Sequence, residues 1–201
     1  MAKNMQPVAK RCKALGISPA AMGYAKKTTE RNSANQMRKK KSEYALQLHE
    51  KHKVKFVYGI MEKQFRMYYE KAARMPGKTG EELLVLIERR LDNVAYRLGF
   101  ASTRRQARQL VSHGHVTVNG KKVNIPSDLL KAGDVVEVKD SSRQSPIFKR
   151  LTGEDAPVVL VPQWLEREKN ALKGTVSRMP VREDINDMPI EEHLIVELYS
   201  K

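Results

Sequence analysis

The chain has 201 residues, 40% of them hydrophobic, and its 38 Lys and Arg against 23 Asp and Glu give a formal net charge of +15. This apolar content is enough to bury a core, the single Cys12 excludes an internal disulfide framework, and no apolar run reaches the ~18 residues that a membrane span needs. We therefore expect a soluble cytoplasmic protein with no membrane partner, whose positive field attracts a polyanion such as nucleic acid.

The charge is unevenly distributed along the chain. Residues 1–55 carry 14 basic and 3 acidic side chains, and residues 91–150 carry 11 and 5. Residues 151–201 reverse the sign, with 6 basic against 10 acidic side chains. A solvated surface explains a single charged run, but two separate basic blocks and an acidic tail predict distinct contact surfaces.

Residues 1–41 are predicted to form a basic arm. They show little hydrophobic periodicity and end in the run Arg38-Lys39-Lys40-Lys41. Because like charges repel one another, we expect such an arm to order only against a partner of opposite charge.

Two long helices are predicted next. Apolar residues recur at steps of three and four over residues 54–72, which is one face of an amphipathic helix that Pro76-Gly77 stops. The segment Thr79-Gly80-Glu81-Glu82 is typical of a helix start, and a second apolar stripe covers residues 84–98 and ends at Gly99. We interpret the aromatic residues of these stripes as core rather than as platforms on which bases stack.

A shorter helix and a small antiparallel sheet follow. The helix is predicted over residues 103–113, after a Ser-Thr cap. Beyond it, Asn119-Gly120 separates two short runs of alternating residues, which is the strongest local signal for a β-hairpin. A further strand is predicted at Val135–Val138.

The rest of the chain gives fewer signals. We predict a helical segment over residues 144–151, a strand over residues 158–161 and a carboxyl-terminal helix over residues 191–199. Residues 172–180 fit either a helix or a strand.

The predicted helix and hairpin bring basic side chains together. Arg104 and Arg105 lie beside the positive amino-terminal end of the helix, and Arg108 shares one helix face with Arg104. The hairpin adds Lys121 and Lys122. Because arginine forks onto phosphates and lysine binds them as a point charge, the pattern predicts a surface for structured RNA, recognised through its shape and backbone.

Residues 88–123 resemble the RNA-binding motif named after bacterial small-subunit ribosomal protein S4; they read ERRLDNVAYRLGFASTRRQARQLVSHGHVTVNGKKV. The likeness to that family extends to MEKQFRMYYEKAAR (residues 61–74), GKTGEELLVLIERRLDNVAYRLGF (77–100) and IEEHLIVELYS (190–200). The motif by itself occurs in many RNA-acting proteins, whereas the flanking helices and the ending are specific to the S4 family.

The resemblance implies an α+β fold in which a mostly helical domain receives a small inserted α/β RNA-binding domain. We expect the basic arm at residues 1–41, the helical domain at 42–90 completed by 155–201, and the inserted domain at 91–154.

The resemblance also implies a structural, non-enzymatic constituent of the small ribosomal subunit that binds the 5′ domain of 16S ribosomal RNA early in assembly. The side chains that we expect to contact this RNA are polar or basic residues of the motif, namely Arg89, Arg90, Arg97, Thr103, Arg104, Arg105, Gln106, Arg108, Gln109, His113, His115, Asn119, Lys121 and Lys122.

Two further contacts follow from the resemblance. The ending of the family faces ribosomal protein S5 and affects translational accuracy, and the residues that match it are Glu192, His193, Leu194, Ile195, Val196 and Glu197. In the family a basic stretch lies near the channel through which messenger RNA enters the subunit, and the residues at that position are Arg38, Lys39, Lys40 and Lys41.

Metal binding and catalysis are the competing interpretations. Many relatives bind zinc through four amino-terminal cysteines, but this chain has only Cys12, so we expect no structural zinc and no cofactor. His113 and His115 lack a third ligand nearby in the sequence, which favours a turn or an RNA contact. The segment Arg90-Leu91-Asp92 is similar to a catalytic segment of pseudouridine synthases, so an RNA-modifying enzyme is one alternative and a stand-alone RNA-binding factor is another. Asp92 lies inside a predicted helix and before the hairpin, which favours a structural ion pair.

Overall fold

The computed structural model describes residues 6–24, 42–152, 159–168 and 172–200, so the predicted basic run at residues 38–41 lies outside the described residues. The chain divides into two compact units, Met1–Leu83 with Asn186–Lys201, and Leu84–Ile185. No helix in the described part of the chain is long and apolar enough to cross a membrane.

The fold is α+β, as the sequence predicted. The helices are α1 (Val8–Leu15), α2 (Glu43–Tyr58), α3 (Glu62–Ala72), α4 (Thr79–Glu88), α5 (Leu91–Arg97), α6 (Arg104–Ser112), α7 (Asp140–Arg143), α8 (Pro146–Thr152) and α9 (Glu192–Ser200). The strands are β1 (Val116–Val118), β2 (Lys121–Lys122), β3 (Val135–Val138), β4 (Leu165–Arg167) and β5 (Lys173–Val176).

The first unit is helical, and its carboxyl-terminal helix packs along α2. Ile195 of α9 is fully buried, and Val54 and Phe65 are also inaccessible to solvent. The prediction of a helix at the end of the chain is therefore confirmed.

One of the predicted long helices is interrupted. The sequence predicts a continuous helix over residues 54–72, and this prediction is wrong because α2 ends at Gly59, which has the left-handed φ of 63°. The amide of Ile60 donates back to the carbonyl of Lys55 at 2.9 Å, which closes the helix end. The apolar spacing continues across this break, so periodicity alone did not reveal it.

The second predicted long helix is also two helices. Arg90 has an extended backbone (φ −63°, ψ 137°), so α4 and α5 meet at an elbow instead of forming one helix over residues 84–98. The amide of Leu91 donates to the carbonyl of Asp128 at 2.8 Å, and the amide of Leu130 donates to the carbonyl of Arg89 at 3.0 Å. A loop that is remote in sequence therefore satisfies the backbone groups of the elbow. The predicted end at Gly99 is confirmed by its φ of 73°.

An antiparallel sheet in the order β2-β1-β3-β5-β4 forms the second unit with α5 and α6. The hairpin and β3 are confirmed, and Asn119 and Gly120 have the positive φ values of 50° and 76° that its tight turn needs. Of the strand predicted at residues 158–161, the structure describes residues 159–161, and these are not in a strand. A strand lies instead at Leu165–Arg167, and the ambiguous segment contains β5.

The sheet explains why the unit boundaries differ from the expected ones. From the sequence we expect residues 155–185 in the helical domain, but β5 pairs with β3 and with β4, so β4 and β5 belong to the second unit. The same core, which includes Leu98, Phe148 and Trp164, joins the helices of this unit to its sheet.

Candidate nucleic-acid interface

Side-chain hydrogen bonds fix the amino-terminal end of helix α6. The Thr103 hydroxyl accepts a hydrogen bond from the backbone amide of Gln106 at 3.2 Å, and the Gln106 side chain accepts from the amide of Ser102 at 2.9 Å. The bond to Thr103 satisfies an amide group that a helix start leaves open, and the bond from Ser102 ties the residue before the cap to the first turn. The sequence predicts that Thr103 and Gln106 bind RNA, and in the structure both side chains cap the helix.

The exposed side of α6 is polar and basic. Arg105 and Gln109 are exposed and lie four residues apart, and His113, the residue that caps the helix end, continues the same line. Arg108 stands beside this line with 16% of its side chain accessible. The predicted motif therefore does place a row of hydrogen-bond donors on the surface.

The hairpin joins this row at Gly114. A Cβ atom built on Gly114 would lie 2.2 Å from Cε of Lys122 and 3.0 Å from its Nζ, so the lysine side chain crosses directly over the glycine. The ammonium group thereby lies near the carboxyl-terminal end of α6, whose dipole attracts a cation. Lys121 and Lys122 are both exposed. We call the combined surface the helix–hairpin surface; it consists of Arg105, Arg108, Gln109, His113, Lys121 and Lys122.

Three other predicted RNA contacts are buried. Arg90, Arg97 and Arg104 are 2%, 9% and 8% exposed. Arg97 donates to Glu88 at 2.7 Å, and the Arg104 guanidinium lies 4.5 Å from the ring centre of Tyr96. Each of them is paired with a neighbour inside the unit, which offsets the cost of burying its charge, and their contact with RNA stays a prediction.

These arginines belong to a network at the elbow. Asn93 donates to Glu88 at 2.6 Å and accepts from Arg104 at 2.8 Å, which links α4, α5 and α6. Asp92 accepts from Arg90 and from Arg108, each at 2.7 Å. The interpretation of Asp92 as a structural ion pair is confirmed.

The remaining predicted residues of the motif support the hairpin and the elbow. Arg89 donates to the carbonyl of Leu130 at 2.9 Å. Asn119 donates to Asp134 at 2.9 Å and so ties the hairpin turn to the turn before β3. His115 is half-buried, and its Nδ1 lies 2.9 Å from the hydroxyl of Ser142.

Lys139 is an exposed cation next to the motif that the sequence did not identify as a functional residue. The backbone amide of Lys139 donates to the carbonyl of His115 at 2.9 Å, so Lys139 sits beside the strand that leads from α6 into the hairpin. Its side chain is exposed. The only sequence signal was a lysine directly after the predicted β3 strand, and its proximity to His115 depends on a strand register that the sequence does not state.

The predicted protein interface lies on α9, and its residues have different environments. Ile195 is buried in the first unit, and Glu197 accepts a hydrogen bond from Gln47 at 3.1 Å. His193 is exposed, with 65% of its side chain accessible. Glu192 and Val196 pack close to Gly80, where an added Cβ would lie 2.8 Å from the Glu192 side chain.

Tyr199 anchors the end of α9. Its hydroxyl donates to Glu62 at 2.8 Å, and its ring stacks on Tyr69 with centres 4.7 Å apart. Burial alone would raise the pKa of Glu62. Hydrogen bonds from Lys55, Tyr199 and Lys51 lower it by more than burial raises it, so the pKa is about 2. Burial and the bond to Glu62 raise the pKa of the Tyr199 phenol.

Among the residues that the structure describes, no three or more His, Cys, Asp or Glu side chains gather into a metal-binding group. Cys12 is buried in the first unit, with its sulfur 3.6 Å from that of Met22.

Comparison with known proteins matches both parts of the chain. The family model described as the S4 domain matches residues 89–136, and the model described as the ribosomal protein S4/S9 N-terminal domain matches residues 3–88. The chain is 54% identical to the small ribosomal subunit protein uS4 of Lachnospira eligens over 201 residues, which is 100% of both chains. It is 53% identical to that of Agathobacter rectalis over the same span, and 62% identical to that of Citrifermentans bemidjiense over 169 residues, which cover 83% of this chain and 79% of the relative. With both family models matched in order and relatives that align over its whole length, this chain belongs to the family of small ribosomal subunit protein uS4.

Proposed function

We propose that this protein is a structural constituent of the small ribosomal subunit that binds 16S ribosomal RNA through the helix–hairpin surface, in the cytoplasm and without catalysing a reaction. The observation that carries the proposal is the convergence of α6 and the hairpin at Gly114, within a chain of the uS4 family. Neutralising several phosphates with closely spaced cations releases counterions, which favours binding to folded RNA.

The finer parts of the proposal concern assembly. We propose that the protein binds the 5′ domain of 16S RNA early and so nucleates the body of the subunit. The elbow network supports this role because it fixes α5 and α6 before RNA is present, so the protein offers a preformed surface.

Two protein and RNA contacts are also proposed. The exposed side of α9, with His193, would face ribosomal protein S5 and influence decoding accuracy, and the acidic balance of residues 151–201 favours a protein partner there over an RNA partner. The basic run at residues 38–41 would lie along the path by which messenger RNA enters.

Asp92 argues against the enzymatic alternative. A catalytic carboxylate must be free to reach its substrate, whereas this carboxylate accepts hydrogen bonds from two guanidinium groups and is 5% exposed. The RNA-modifying interpretation of the Arg90-Leu91-Asp92 segment is therefore not favoured.

RNA binding by matched variants tests the proposal. Lys121→Ala/Lys122→Ala removes two cations from the helix–hairpin surface, and Lys63→Ala/Lys71→Ala removes two exposed cations from α3 with the same change in net charge. We expect the first variant to bind the 5′-domain RNA at least about tenfold more weakly, since hydrogen bonds to charged groups contribute ~1.5–3 kcal/mol each, and the second to change affinity less. Equal losses would show that bulk charge, not this surface, drives binding.

Cosedimentation separates a ribosomal constituent from a stand-alone factor. We expect the protein to remain with purified small subunits through a salt wash. Complete release into the soluble fraction, with RNA binding intact, would favour the stand-alone RNA-binding factor.

A further inference from the structure

The Asp92 carboxylate lies between two guanidinium groups of different exposure. Arg90 donates to both of its oxygens, at 3.0 and 2.7 Å, and Arg108 donates through Nε and Nη2 to Oδ2, at 2.8 and 2.7 Å. The side chains of Arg90 and Asp92 are 2% and 5% exposed, whereas that of Arg108 is 16% exposed. The triad therefore begins in the interior and ends at the helix–hairpin surface.

Arg108 is the member of the triad that reaches solvent, with 16% of its side chain exposed. Arg90 is too deeply buried to touch a ligand. An anion that approaches α6 would therefore meet the guanidinium group of Arg108, on the same helix as the exposed Arg105.

We infer that Asp92 is a positioning residue for RNA binding, which holds the Arg108 guanidinium in place before RNA arrives. The inference rests on the proposed function. An unrestrained arginine loses much rotamer freedom when it grips a phosphate, and this loss weakens binding. Here the two hydrogen bonds from Arg108 to the buried Asp92 carboxylate order the arginine side chain when the protein folds. RNA binding therefore causes little further loss of rotamer entropy at Arg108.

The sign of the effect distinguishes positioning from bulk electrostatics. Asp92 is negatively charged, so its removal should strengthen the attraction for RNA if only the net charge mattered. If Asp92 positions Arg108, its removal weakens RNA binding instead, and only when Arg108 is present.

A double-mutant cycle measures this directly, with 5′-domain RNA of the small subunit as the probe. We expect Asp92→Asn to weaken binding about fivefold and Arg108→Ala about tenfold, while the double variant binds like Arg108→Ala alone. Asp184→Asn is the matched control, because it removes the same charge from a buried carboxylate whose arginine partner, Arg178, lies outside the helix–hairpin surface. We expect its affinity to stay within about twofold of the parent at temperatures where it is folded.

Arg108→Lys covers the case in which Asp92→Asn does not fold. Lysine keeps the positive charge but cannot form the forked bond to Asp92. We expect it to bind RNA at least about threefold more weakly than the parent.

Any of three outcomes would overturn the inference. Asp92→Asn binds RNA as tightly as the parent or more tightly, or Asp92→Asn weakens binding by the same factor when Arg108 is already replaced by Ala. The third is that Arg108→Lys binds RNA as tightly as the parent. If Lys121→Ala/Lys122→Ala still weakens binding in any of these cases, the proposed function stands and only the positioning role is lost. If that lysine variant also binds normally, the proposed RNA surface itself is refuted.

Discussion

Gly174 is the residue at which α5 meets the sheet. A Cβ atom there would lie 2.4 Å from Leu98 and 2.8 Å from the backbone oxygen of Glu166. The leucine can adjust, but the backbone of β4 cannot move without disturbing its pairing with β5. Because glycine has no side chain, Gly174 allows Leu98, at the end of α5, and the backbone of β4 to approach β5 this closely.

Gly174→Ala is consequently expected to destabilise the protein by about 1–3 kcal/mol, the usual effect of overpacking a filled core. Thr175→Ala on the same strand is the control and should cost less, since Thr175 is only half-buried. Denaturant unfolding of both variants measures the difference. Equal stability of Gly174→Ala and the parent would show that Leu98 and the backbone of β4 can shift to accommodate a methyl group without a loss of stability.

Glu62 is a second residue whose effect can be measured, through pH. Its pKa in the fold is about 2 against an ordinary 4.5, so its ionised form stabilises the fold above pH 4.5 and this contribution is lost as the pH falls from 4.5 toward 2. Glu62→Gln should lower the free energy of unfolding at pH 7 by about 1 kcal/mol, a modest value because half of the side chain is exposed.

The difference between Glu62→Gln and the parent should shrink as the pH falls through this range and vanish near pH 2. Urea unfolding at pH 7, 4 and 3 provides the measurement. A difference that does not depend on pH would contradict the assigned ion pairs and point to lost packing around Tyr199.

At the level of elements, the amino-terminal cap of α6 determines where the basic helix begins. Thr103→Val keeps the shape of the side chain but removes the hydroxyl that accepts from Gln106. We expect it to cost about 1 kcal/mol of stability, as the loss of a cap usually does. Thr103→Ser retains the hydroxyl and serves as the control.

Thermal unfolding of the two Thr103 variants should therefore give a lower midpoint for valine and a nearly unchanged midpoint for serine. If serine is as damaging as valine, the methyl group rather than the hydroxyl fixes this helix end.

Elements with local signals could be predicted from the sequence. The hairpin follows from Asn119-Gly120 and the start of α6 from its cap, and both are present. The sequence does not predict the two helix interruptions. Gly59 stands within an unbroken apolar periodicity, and the elbow at Arg90 is held by a loop some forty residues away through a β-bridge to Leu129. Non-local backbone bonds of that kind leave no local pattern.

The candidate site shows the same limit for side chains. The sequence identified a basic helix followed by a basic hairpin, but it did not distinguish Arg105, which is exposed, from Arg104, which is buried against Tyr96. Adjacent residues on a helix point about 100° apart, and only the packing of α5 decides which of them faces inward.

At the level of the whole molecule, the charge of +15 supplies a long-range attraction, and the fold concentrates part of it on one surface. Each phosphate neutralised by a basic side chain contributes roughly −0.9 to the slope of log affinity against log salt for a duplex. Lys121→Ala/Lys122→Ala should therefore reduce the magnitude of that slope by about 1.5–2.

Titration of RNA binding at several salt concentrations measures this slope. Lys63→Ala/Lys71→Ala should leave it nearly unchanged. Identical slopes for the two double variants would mean that the lysines of the hairpin do not touch phosphate.

The position of the helix–hairpin surface in the assembled subunit is the most direct test of the account. In a Cys12→Ala background, Gln109→Cys on α6 and His193→Cys on α9 each provide one exposed attachment point for an iron chelate that cleaves nearby RNA. Within reconstituted small subunits, we expect strong, localised cleavage of 16S RNA in its 5′ domain from position 109, and weak cleavage from position 193. Absence of cleavage from position 109 in subunits that contain the protein would contradict the central claim that this surface grips ribosomal RNA.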